Sequence, residues 1–235
     1  MSTCSHVAKT GDIKDFVITE ESGIAKGIRR VVAVTGNEAH AVTRTADALT
    51  VRLDALEHIS GKEKDLALKA LSELGQSDIS VIRKAELKDR LTAARKAFDK
   101  QIKERETAAN KEAVDKLQNH FKEDEKSEAF VAILDVDGNA KILQSVVSQG
   151  KKLGKAVYVL SVDKEGGKVA HVNFVPPALK ERGLDARTWA SKVTDVIGGK
   201  AGGKEESAQG VGTEVAKVDE ALEVARTYLS TSLSS

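Results

Sequence analysis

Two short stretches of this chain hold residue types that could do chemistry. The first is Cys4 with His6. Thiolate and imidazole are the usual ligands of structural and catalytic zinc, and a competent site takes three or four of them. The remaining histidines, His40, His58, His120 and His171, are scattered without ligand spacing. His6 therefore stands as a residual metal-ligand candidate, with a disordered N-terminus as the alternative. The second stretch is Gly198-Gly199-Lys200-Ala201-Gly202-Gly203-Lys204, followed by Ser207-Ala208-Gln209-Gly210. Glycines let a backbone turn tightly and approach a phosphate, and lysines neutralise it. The Gly-x-x-x-x-Gly-Lys-Ser/Thr order of a P-loop is absent, and a flexible linker between two helices is the competing reading. No complete catalytic motif is present, so no catalytic residue is nominated.

A third feature is basic: Lys151, Lys152 and Lys155, then Lys180, Arg182, Arg187 and Lys192. Such residues can form a local surface for an RNA backbone, or simply a solvated face. The balance of the whole chain makes locality essential. Its 37 basic and 36 acidic side chains leave a formal charge of +1, so no global field draws it onto nucleic acid. A single cysteine excludes an internal disulfide, no apolar run is long enough for a membrane span, and the first ten residues lack the marks of a secretion signal. A cytoplasmic, reducing setting is expected.

These residues need elements to hold them. At 235 residues and 40% hydrophobic content, the chain can bury a substantial core. Ile- and Val-rich residues 13–18 and 28–34 read as two short strands, with Glu20–Gly23 inside their connection. Val42, Ala46, Leu49, Leu53 and Leu56 then recur at helical spacing. A second helical region, residues 84–122, offers Leu87, Leu91, Ala94, Phe98 and Ile102, then Leu117 and Phe121, as partners for that face. With turns near Gly61 and Leu74–Asp78, the expectation is an antiparallel helical hairpin with a break in its first arm. Beyond residue 126 strands and helices alternate: strands at 130–134, 156–162 and 168–175, helices at 140–154, 185–197 and 212–229, with Trp189 in the core. The expected fold is mixed α+β and α/β, with a short N-terminal strand remnant (1–36), a long helical hairpin (37–126) and a compact C-terminal α/β domain (127–235).

The stretch Phe16–Gly36, FVITEESGIAKGIRRVVAVTG, with its Ile24–Arg30 segment, resembles the closing segment of the editing domain of alanyl-tRNA synthetases. His6 aligns with the last histidine of that family's Cys-Gly-Gly-Thr-His motif, while Ser2-Thr3-Cys4-Ser5 replaces the rest. The chain is thus expected to open within a metal-ligand motif, as a C-terminal piece or a protein built like one. The glycine run with Ala208-Gln209 resembles the signature of the DHH-associated domain that ends these enzymes. By resemblance, residues 1–36 are the end of an editing domain, 37–126 a helical connector and 127–235 a tRNA-binding domain. The family ligates alanine to tRNA with ATP, edits mischarged tRNA and uses zinc, but this sequence carries neither an ATP site nor a complete editing site, so no cofactor is expected in it. The resemblance implies tRNA as partner, contacted by Lys200, Lys204, Gly198, Gly199, Gly202, Gly203, Gln209, Arg182 and Arg187, with self-association through the helical region and no membrane. A free-standing editing deacylase lacks its His-x-x-x-His pair here; a non-catalytic protein-interaction or dimerisation module is the alternative.

Overall fold

The structure, a computed structural model, describes residues 7–72 and 77–233; Cys4, His6 and the turn residues Leu74–Gln76 lie outside them. The chain divides into two compact units, Met1–Gln101 and Ile102–Ser235.

In the first unit, β1 (Phe16–Ala25) and β2 (Ile28–Thr35) form an antiparallel pair with Ala25 opposite Ile28. The connection is therefore Lys26-Gly27, and Glu20–Gly23, expected there, lie within β1. Gly27 has φ +81°, the left-handed region that a tight hairpin turn needs and that glycine enters without steric cost. Register shifts between Ile18 and Glu20 and between Gly23 and Ala25 interrupt the alternation that marks a strand, which hides the second half of β1 in the sequence.

Three helices follow: α1 (Gly36–Asp54), α2 (Gly61–Leu71) and α3 (Val81–Glu123). Their ion pairs fix their directions. Asp47 and Asp54 of α1 meet Arg83 and Arg90 of α3, so both partners advance by seven residues and the two helices run parallel. Asp65, near the start of α2, meets Arg95 at 2.9 Å, while the end of α2 leads into the start of α3, so α2 runs antiparallel to it. The break in the first arm is thus a full reversal, and the helical region is an up-down-up arrangement rather than one hairpin. Ala46, Leu53, Leu56, Leu68, Leu71, Ile79, Leu87 and Phe98 form its core. The helical face read from the sequence extends no further: Ile102 is 40% exposed, and Leu117 packs in the second unit.

The second unit contains β3 (Ala129–Ile133), α4 (Ala140–Leu153), β4 (Ala156–Asp163), β5 (Lys168–Phe174), α5 (Pro177–Lys180), α6 (Ala186–Ile197), β6 (Gly199–Gly203), β7 (Ser207–Gly212) and α7 (Val218–Leu233). The sheet order is β3-β4-β5-β7-β6. β3 and β4 are parallel, joined through α4, and every other pair is antiparallel. Asn139 caps α4 by accepting from the backbone N–H groups of Lys141 and Ile142, and Asp185 caps α6 through Thr188, satisfying donors that a helix start leaves open. The two faces of the sheet are covered unequally. Tyr158, Leu160 and Ala208 pack on one side with Trp189, Val193, Ile197, Ala221 and Ala225 of α6 and α7. On the other side α4 and the last turns of α3 cover Val157, Val159, Val172 and Phe174, while Gln209, Val211 and all of β6 stay exposed.

Candidate nucleic-acid interface

The glycine run, read as a loop between helices, is the β6–β7 hairpin at the edge of this sheet. Gly199-Lys200-Ala201-Gly202-Gly203 holds no β-branched or aromatic residue, so nothing local in it favours a strand. Its pairing with β7 does. Lys204 and Ser207 exchange backbone hydrogen bonds of 2.8 and 3.2 Å to close the tip, and Ala186 and Val175 donate to the carbonyls of Glu205 and Glu206 at 2.9 and 2.8 Å. Asn173, buried in β5, accepts from the Ala208 N–H at 2.9 Å and donates to the Ala186 carbonyl at 2.8 Å. A segment so tied is not a flexible linker.

Most of the hairpin glycines answer to the fold. Gly198 ends α6 at φ +61°. A Cβ on Gly199 would lie 2.1 Å from the Val211 carbonyl oxygen, and one on Gly203 2.4 Å from the Ala208 Cα. Gly202 differs: a Cβ there would meet nothing within 4 Å. Gly202 stands opposite Gln209 and Lys200 opposite Val211, so all four share one face. The Gln144 Nε2 of α4 donates to Gln209 Oε1 at 2.9 Å, which identifies that face as the half-open one beside α4.

The tip stands between two grooves. One, of about 410 Å³, lies between the hairpin and α4 and includes Lys151, Gly202, Gly203, Lys204 and Gln209. The other, of about 540 Å³, includes Lys180, Arg187, Gly203 and Lys204. Lys204 thus lines both grooves, with Gln209 and Lys151 on one side and Arg187 on the other. Arg182 lines neither groove. Its guanidinium donates to both oxygens of Glu128, at 2.7 and 2.8 Å, far along the chain from the hairpin. Other cations have structural partners: Lys180 Nζ lies 2.5 Å from Glu205, whose hydrogen bond raises the ammonium pKa, Lys155 donates to the Ser127 carbonyl, and Lys192 lies 5.5 Å from the Tyr228 ring centroid.

Sequence reading missed what lies beneath the hairpin. His171 is fully buried under β7, where a Cβ on Gly210 would come within 2.3 Å of its Nε2. Thr194 Oγ1 donates to the Ala190 carbonyl at 2.7 Å, so it accepts at 3.3 Å from His171 Nε2–H. Nδ1 is then unprotonated and accepts from the Tyr158 hydroxyl at 2.8 Å, a tautomer assigned from this network. Burial lowers the imidazole pKa to about 4 and raises that of the Tyr158 phenol. The one signal in the sequence is His171 and Asn173 two apart in a strand that is otherwise apolar after Lys168, which puts two polar groups on one buried face.

Comparison with known proteins follows the same order along the chain. Residues 5–32 match the Threonyl and Alanyl tRNA synthetase second additional domain, residues 39–101 the Alanine--tRNA ligase domain and residues 126–231 the DHHA1 domain. The chain belongs with the C-terminal part of the alanyl-tRNA synthetase family. Mitochondrial alanine--tRNA ligase of Saccharomyces cerevisiae is 39% identical over 93% of this chain and 23% of that protein. The cytoplasmic alanine--tRNA ligase of Bombyx mori is 34% identical over 97% of this chain and 25% of its own length. The chain thus spans about a quarter of these synthetases. A solved structure of the C-Ala domain from Aquifex aeolicus alanyl-tRNA synthetase is 21% identical, covers 45% of this chain and 93% of that one, and has a TM-score of 0.37, an overlap too loose to carry a conclusion. Among the described residues of this chain, no group of three His, Cys, Asp or Glu could hold a metal ion, and no helix is long and apolar enough to cross a membrane.

Proposed function

We propose that the second unit binds tRNA through the open half of its sheet, and that the chain assists tRNA binding within the work of an alanyl-tRNA synthetase. Gly202 carries the reading. Glycine inside a strand weakens it and marks a place where a ligand or another backbone comes close. A Cβ on Gly202 would meet nothing within 4 Å, Lys204 and Gln209 line the same groove, and Lys200 shares its face of the hairpin. The family match supports tRNA as the ligand. Replacing Lys200 and Lys204 together by alanine should weaken tRNA binding and lower the slope of log affinity against log salt by about two, one per lost phosphate contact. Gly202→Val should weaken binding without lowering the melting temperature, because its side chain meets open space. If both variants bind tRNA like the parent at every salt concentration, the hairpin is not the RNA surface.

Self-association of the helical unit is a second reading, supported by one feature of that unit. Phe16 and Ile82, 62% and 78% exposed, line a groove of about 590 Å³ with Ile18, Val42 and Val81. A second copy of the chain would bury this apolar surface. Ile82→Asp should then shift sedimentation toward a smaller species; an unchanged distribution rules the groove out as the contact.

A further inference from the structure

The groove between α4 and the hairpin has a chemistry of its own. Its floor is apolar, made by Val147, Val172 and Phe174. Its rim carries Lys151 and Lys204, with Lys151 Nζ 5.7 Å from the Phe174 ring centroid. Gln144 and Gln209 bridge its mouth by one hydrogen bond of 2.9 Å. Whichever way the two amides are assigned, a single bond between them leaves an NH₂ group and a carbonyl oxygen unused. A nucleobase edge offers the complementary donor and acceptor. At about 410 Å³ the cavity lies in the range of small-ligand pockets with apolar floors and a few polar groups. A base held in a duplex cannot reach such a floor, whereas an unstacked one can. An apolar peptide side chain would use the floor but leave the amides and ammonium groups idle. Glu206 is the one carboxylate on the lining, against two lysines.

From these observations we propose that the cavity takes a single unpaired nucleotide, its base on the Phe174 floor beneath the glutamine pair and its phosphate toward Lys151 and Lys204. The proposal rests on the tRNA-binding reading and adds to it a pocket for one extruded base, walled by α4. The test measures binding of the whole chain to three labelled RNA hairpins: one with a single bulged adenosine, one with an abasic bulge and one fully paired. The adenosine bulge should bind about tenfold more tightly than the abasic one. Ser148→Tyr, at an exposed position of α4 on the cavity wall, should erase that difference while the chain keeps its melting temperature. Gln144→Ala should reduce it severalfold. Equal binding of adenosine and abasic bulges, or a preference that survives Ser148→Tyr, overturns the pocket. So does displacement of the bulged RNA by AMP at concentrations below those of the RNA itself, which would assign the site to free nucleotide. If tRNA still binds while the bulges are bound alike, only the nucleotide pocket falls; if no RNA binds, the tRNA reading falls with it.

Discussion

Replacing Leu53 with aspartate should destabilise the helical unit by about 3–5 kcal/mol, the range for a lost core leucine together with an unpaired buried carboxylate. Leu53 is 4% exposed and packs with Leu56, Leu87 and Phe98 in the one apolar cluster shared by α1, α2 and α3. Arg90 lines a groove together with Leu53, but Asp54 already holds that guanidinium, and its hydrogen bond is the main cause of the raised arginine pKa. A new carboxylate at position 53 therefore has to stay protonated, pull water into the cluster or push the helices apart. For a unit of this size the loss corresponds to a fall of roughly 15 °C or more in the midpoint of the helical circular-dichroism transition. Val51→Asp, two residues away at a position 68% exposed, supplies the contrast and should change stability by no more than about 0.5 kcal/mol. Equal melting of the Leu53→Asp and Val51→Asp chains would show that the α1 face does not pack as described.

The reach of sequence reasoning differs between these elements for physical reasons. Leu53 was legible because Ala46, Leu49, Leu53 and Leu56 repeat with a helix's period, and Trp189 because it sits on an amphipathic helix with Val193. Periodicity says which face is buried but not which way its partner runs. Only the matched seven-residue steps of Asp47–Arg83 and Asp54–Arg90 reveal that α1 and α3 are parallel and that α2 reverses between them. β6 was illegible for the opposite reason. Its residues lack strand propensity, and the strand exists because β7 pairs with it and glycine fits where a Cβ at 199 or 203 would strike the partner backbone. Of the candidate site, the glycines, Lys200, Lys204 and Gln209 could be picked out as one run. Gln144, 65 residues before Gln209, and Ser148, one turn further along α4, reach the same groove only through the sheet order that brings α4 beside β7.

Acid should act on the second unit through His171. In the folded chain its pKa is about 4 because burial disfavours the imidazolium, whereas an unfolded histidine titrates near 6.5. Above pH 6.5 both states are neutral at this residue and the full stability is present. As pH falls below 6.5 the unfolded chain takes up a proton that the folded chain refuses, so stability declines until the folded imidazole titrates near 4. Across that window the group accounts for a loss of about 3 kcal/mol. The network explains the refusal. Tyr158 donates to Nδ1 and Nε2–H donates to Thr194, so a second ring proton would face a donor already in place, under the close-packed backbone of Gly210. The single tryptophan, Trp189, provides a local readout, since its ring lies 4.8 Å from that of Tyr158 and its Nε1 donates to the Ala225 carbonyl at 2.9 Å. Urea unfolding followed by Trp189 fluorescence should show a parent chain whose stability falls between pH 6.5 and 4 more steeply than that of a His171→Gln chain, which has no proton to gain at this site. Contributions from groups common to both chains cancel in the comparison. Parallel pH profiles would mean that His171 is protonated as readily in the fold as out of it, and that β7 does not rest on a neutral ring.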